Sequence, residues 1–119
     1  MDLKQEFIDN ARNPRVGSVL VSESERVRVW HLTLAPGERL PVHLHQADYF
    51  WTAISNGRGR AHYVDGSSED VVYTVGDTSH QTFPKGGGYA HSLENIGDSE
   101  LRFVTVEFSN GENPVLPLD

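Results

Sequence analysis

Apolar and polar positions alternate along most of this chain, most clearly in Arg26-Val27-Arg28-Val29-Trp30-His31-Leu32-Thr33-Leu34. A period of two places successive side chains on opposite faces, so the run predicts a strand with one buried side. Val16–Val21, apolar and β-branched, predicts a strand before it, and Ala35-Pro36-Gly37-Glu38 a turn after it. Further strands are expected at Val42–His45, Tyr49–Ile54, Arg60–Val64, Val71–Val75, Gln81–Phe83, Ser92–Asn95 and Leu101–Phe108. Asn56-Gly57, Asp65-Gly66, Gly76-Asp77, Gly86-Gly87-Gly88 and Gly97-Asp98 punctuate them, supplying the positive φ angles of tight turns. Only residues 2–13 read as a helix: Asp2 caps it, Leu3, Phe7, Ile8 and Ala11 fall near one face, and Pro14 ends it. Short strands at regular spacing, with no second helix, indicate an antiparallel sandwich or barrel.

The chain therefore divides into a helical segment (1–15), a β-barrel (16–108) and a tail (109–119) whose Gly111, Pro114 and Pro117 make it an irregular strap or a loose end. At 119 residues it holds one core. With 37% hydrophobic and 23% charged residues it reads as globular and not disordered. It has no cysteine, which removes disulfides and thiolate chemistry. A net charge of −7 opposes a role on nucleic acid, because Arg26-Val27-Arg28 and Arg58-Gly59-Arg60 are the only tight basic groups. No apolar run is long enough to span a bilayer, and the polar start Met1-Asp2-Leu3-Lys4 does not resemble a signal peptide, so a cytoplasmic protein is expected.

The chemistry lies in the histidines. On a strand, His43 and His45 share a face, and a same-face imidazole pair is half of a metal site. His91 is the expected third member.

With these residues in hand, the chain resembles the cupin superfamily of small jelly-roll β-barrels. The first cupin motif is matched by Gly37, five residues, His43-Leu44-His45, and a closing glycine at Gly57. The second is matched by Gly76-Asp77, Pro84-Lys85-Gly86, His91 and Asn95. The resemblance covers roughly residues 16–108 and implies an all-β jelly-roll barrel with a short N-terminal helix. It further implies one divalent transition metal (iron, nickel, zinc, manganese or copper) on His43, His45 and His91, and a homodimer.

Two departures bear on the site. The glutamate of the first motif is missing: Asp48 and Tyr49 stand near its place, Tyr49 on the face of the histidines and Asp48 turned inward only by a β-bulge after His45. Three histidines without a carboxylate resemble the three-histidine cupin dioxygenases, whereas an inward Asp48 would give a His-plus-carboxylate centre. The stretch from Pro84 to His91 is also longer than the pattern.

Of the remaining candidates, Tyr49 is a ligand or hydrogen-bond donor at the metal, or plain packing. His80 is a candidate partner or acid–base group near the mouth. Arg60 is a candidate for an anionic, carboxylate-bearing substrate, or else an outward surface residue. His31 and His62 read as ordinary strand histidines. The expected function is a mononuclear metal enzyme of oxygenase, isomerase or lyase type acting on a small organic molecule. The alternative is a barrel that holds a small ligand without metal or turnover.

Overall fold

The computed structural model describes residues 2–118; Met1 and Asp119, the outermost positions of the expected helical segment and tail, lie outside the described residues. After α1 (Leu3–Asp9) come β1 (Val19–Glu23), β2 (Val27–Leu34), β3 (Arg39–His45), β4 (Tyr49–Ala53) and β5 (Gly57–Tyr63). β6 (Ser68–Tyr73), β7 (Thr78–Gln81), β8 (Tyr89–Asn95) and β9 (Leu101–Phe108) complete the chain. They form two antiparallel sheets, ordered β1-β2-β9-β4-β7 and β3-β8-β5-β6, which face each other as a jelly-roll barrel. Each expected strand is present, and the differences lie at the ends. β3 starts at Arg39 and runs through Pro41, which is tolerated because β3 is an edge strand. β7 lies at 78–81 and not 81–83, held by the pairing of Tyr49 with Gln81 and of Thr52 with Thr78.

The alternation read in β2 is the alternation of the barrel wall. Trp30, Leu32 and Leu34 are buried, and their partners across the ladder are Thr105, Phe103 and Leu101 of β9. Leu32, Leu34, Leu40, Ala53, Tyr73, Leu101 and Phe103 form the core at the end of the barrel below the histidines. Fully burying a side chain such as Leu101 contributes about 1.5–3 kcal/mol.

Asn95, the second-motif asparagine, is buried and works on the backbone. Its amide donates to the Leu34 and Ser99 carbonyls at 2.9 Å each, and its Oδ1 accepts from the Gly97 N–H. It thereby ties the end of β2 to the β8–β9 turn.

α1 is shorter than expected. Asp2 does cap it, accepting from the Gln5 N–H at 3.1 Å, but Asn10 ends it through the Glu6 carbonyl. Phe7 is buried while Ile8 is exposed, so the apolar face is narrower than the sequence suggests. Glu6 docks the helix on the outside of β3 by accepting from Arg39 and from the Val42 N–H.

The tail is a strap. Asn113 donates to the Gln46 and Pro84 carbonyls at 3.1 and 3.0 Å and accepts from the Gly86 N–H. Arg28 holds the strap's far end through the Leu116 carbonyl at 2.6 Å.

Candidate metal centre

Register brings the histidines together. β3 and β8 pair so that His43 lies opposite His91 and His45 opposite Tyr89. A register shift between Leu40 and His43 lets both residues face inward although they stand three positions apart. The bulge thus falls before the His-x-His pair, and not after His45 where it would have turned Asp48 inward.

The Nε2 atoms of His43 and His45 are 3.1 Å apart, as are those of His45 and His91. Nitrogen ligands about 2.1 Å from one ion and at right angles to each other stand about 3.0 Å apart, so His45 stands at ligand spacing from both other histidines, and the ligand atoms of all three lie within 4.8 Å of one another. His43 is fixed in the productive tautomer, because its Nδ1–H donates to the Pro41 carbonyl at 2.8 Å and leaves the Nε2 lone pair inward. Burial lowers the pKa of His43 to about 4 and that of His91 to about 3, and drives His45 well below 6.5, helped by its two neighbours. Neutral imidazoles are the form that binds a metal. His45 Nδ1 is buried without a protein partner, so the cluster's hydrogen bonds alone do not satisfy all its ring nitrogens. These residues fit a divalent cation.

Around the cluster stand tyrosines. Tyr49 stacks on His45 with ring centres 4.0 Å apart, and its hydroxyl is hydrogen-bonded to that of Tyr89. Tyr63 stacks beside His91 at 6.2 Å. Burial raises the Tyr49 pKa far above 10 and also raises that of Tyr89, so both phenols stay protonated. Tyr89 was not singled out from the sequence, although its place two residues before His91 on one strand puts it on the same face.

The other candidates lie elsewhere. Asp48 accepts from the Phe83 N–H at 2.9 Å and abuts Gly111, and the three-histidine group of potential ligands does not include it. His80 is exposed on the outer face, its ring 5.2 Å from Phe50. Arg60 points outward and is paired with Asp70 through two hydrogen bonds of 2.7 and 3.0 Å. The expectations of Asp48 as a ligand, His80 as an acid–base group and Arg60 as a substrate anchor thus find no geometry here. His62 is bonded to Glu94 at 3.0 Å beneath the helix. A buried carboxylate that the sequence reading passed over, Glu107, lies on β9 opposite Arg28 and Tyr49 and accepts from Trp30 Nε1 at 2.8 Å. Alternation along 101–108 would have marked it as inward-facing.

The histidines open on a cavity of about 230 Å³ between the sheets, which Tyr49, Tyr63, Tyr73 and Tyr89 help to line. Among the described residues no helix is long and apolar enough to cross a membrane.

No protein-family model and no curated protein matches the chain. Solved structures do. A cupin domain from Bordetella pertussis Tohama I superposes with a TM-score of 0.66 at 26% identity, over 79% of this chain and 95% of that one. A conserved protein with a double-stranded β-helix domain from Klebsiella pneumoniae gives 0.61 at 22% identity, over 93% and 90%. A variant of oxalate decarboxylase from Bacillus subtilis gives 0.53 at 28% identity, over 71% of this chain but only 22% of that one. With two sheets in jelly-roll order, and His43, His45, His91 and Asn95 of the two motifs in their places, the chain has the fold of a small single-domain cupin.

Proposed function

We propose that this cupin binds one divalent transition metal through Nε2 of His43, His45 and His91 and acts as a mononuclear metal enzyme on a small organic molecule. The observation that carries the reading is the convergence of three neutral ring nitrogens beside a cavity, His45 Nε2 lying 3.1 Å from Nε2 of both His43 and His91. When bound, the ion supplies a Lewis-acid or oxygen-activating centre. The chain's own residues do the rest. Pro41 fixes the His43 ring, and stacking on Tyr49 holds His45. The Tyr49–Tyr89 pair uses one phenolic proton internally, which leaves the other O–H free to donate to a ligand oxygen. The remaining walls are largely apolar and limit water in the cavity.

The likeness to oxalate decarboxylase is compatible with a catalytic centre on this fold. It covers too little of that protein to carry the substrate across. A second reading, a barrel that holds a ligand without metal, is favoured by one observation: among the described residues no carboxylate joins the three histidines.

Elemental analysis of untagged protein separates the two. Near-stoichiometric iron, nickel, copper, manganese or zinc, lost in the His43→Ala/His91→Ala variant, is expected. Protein that neither carries nor takes up metal overturns the metal enzyme in favour of the ligand-binding barrel.

A cytoplasmic homodimer is the expected setting. β1 is an edge strand with Val19 and Val21 exposed, and light scattering on the purified protein checks the assembly.

A further inference from the structure

We infer that the cavity takes a compact, mostly apolar molecule with a single anionic or oxygen-donor head, and that Glu69 at the rim turns away a second anionic group. This rests on the histidine cluster being the polar end of the cavity, as proposed above.

Size and walls define the body of the ligand. A volume of about 230 Å³ lies below the ~300–1,000 Å³ of drug-sized sites, so one ring or its equivalent fits. Away from the histidines the walls are Leu32, Val71, Leu93 and Phe103, with Trp51 set edge-on to Tyr73 at 5.5 Å. A polar or charged body would be desolvated there without partners.

Charge defines the rest. Among the described residues no lysine or arginine lines the cavity. Four arginines are engaged elsewhere: Arg28 with Glu23, Arg39 with Glu6, Arg60 with Asp70 and Arg102 with Glu100. The polar wall residues Ser79, Gln81 and Thr105 are neutral and suit a hydroxyl or carbonyl. Among the described residues Glu69 is the one carboxylate in the wall. It lies on β6 in the same alternating row as Val71 and Tyr73, with its Oε1 3.5 Å from the Tyr63 hydroxyl. Tyr63 in turn stacks beside His91, so Glu69 stands across one ring from the polar end. One anionic head can reach the histidines and the Tyr49–Tyr89 hydroxyls. A second carboxylate or a phosphate would meet no cation and one like charge.

Two probes of equal shape test this: 3-carbamoylbenzoate, with one charge, and isophthalate, with two. Calorimetric titration of the metal-loaded and metal-free protein is run beside Glu69→Gln and Glu69→Lys, with thermal melts confirming that each variant is folded. The wild-type protein is expected to prefer the monoanion by at least about fivefold, on the order of one like-charge contact in water. The preference should shrink in Glu69→Gln and vanish or reverse in Glu69→Lys. Equal or tighter binding of isophthalate by the wild type overturns the inference, as does a preference unchanged in both variants. Failure of 3-carbamoylbenzoate to bind at millimolar concentration overturns it as well. Metal uptake is measured on the same samples. Lost selectivity with intact uptake strikes this inference alone, whereas failed uptake with selectivity retained in metal-free protein strikes the metal centre alone.

Discussion

Glu107 shows how much one inward side chain can matter. It is 3% exposed, and burial raises its pKa above the usual carboxylate value, against the Trp30 hydrogen bond and the attraction of Arg28. A folded-state pKa raised above the unfolded one means stability that is present below the unfolded value and lost as pH rises through the folded one. Glu107→Gln keeps an oxygen for the Trp30 N–H and removes the buried charge. It is therefore expected to stabilise the protein by about 1 kcal/mol at pH 7.5, with the gap closing toward pH 4.5. Thermal melts at the two pH values check this, and a lower melting temperature for the variant at pH 7.5 would mean that Arg28 outweighs burial. At this scale the sequence was legible where spacing is local. His43 and His45 follow from period two, and His91 from its motif. It was not legible for Asp48, His80 and Arg60, whose directions depend on where a bulge falls and which strands pair. An inward Asp48 needs a bulge after His45, whereas the register shift lies between Leu40 and His43.

Among the elements, the loop leading into β8 decides whether the two halves of the histidine cluster meet. Gly88 has φ +138°, and a Cβ there would stand 2.4 Å from the His45 carbonyl oxygen. Backbone meets backbone at this point, so no rotamer relieves the clash, and the conformation itself is strained for any L side chain. Gly88→Ala is expected to cost about 2–3 kcal/mol and to push Tyr89 and His91 away from β3. Metal affinity should fall at least about tenfold, the scale at which residues that orient ligands act. Melting in chelator measures the first effect and calorimetric metal titration the second; an unchanged affinity would show that the loop does not set the ligand spacing. Of the three glycines that lengthen this stretch beyond the family pattern, Gly88 thus has a physical reason, a close approach to the end of β3, while Gly87 packs against Pro84 and Gly86 takes a positive φ of 80°. The strands themselves were legible because alternation is a local signal. Their ends were not, since Gly57 continues as strand where Asn56-Gly57 reads as a turn, and the partners that hold it, Tyr73 and the Gly59–Asn95 pair beyond, are distant in sequence.

For the molecule as a whole, clustering neutral imidazoles inside a barrel makes the fold sensitive to acid. Unfolded, His43, His45 and His91 titrate near pH 6.5; folded, His43 resists protonation to about pH 4 and His91 to about pH 3, and burial together with its two neighbours holds His45 well below 6.5. The sign follows from proton counts. Between pH 6.5 and 4 the unfolded chain binds more protons than the folded one, so stability is highest above pH 6.5 and falls as pH drops through that window. Each fully displaced imidazole contributes on the order of 1.4 kcal/mol per pH unit. His43 and His91 are both displaced across this window, and His45 adds to them. Glu107 runs the opposite way, but it is one group against three. Against a typical domain stability of about 5–15 kcal/mol, the metal-free barrel is expected to lose a substantial part of its stability between pH 6.5 and 4. Melting temperatures in chelator at pH 7.5, 5.5 and 4.5 check it, and His43→Gln should flatten the slope because glutamine takes up no proton. A metal binds only the neutral rings, so adding it should move the acid midpoint downward. An acid transition that His43→Gln flattens but metal leaves in place would mean that the buried cluster is real and the ion is not its occupant.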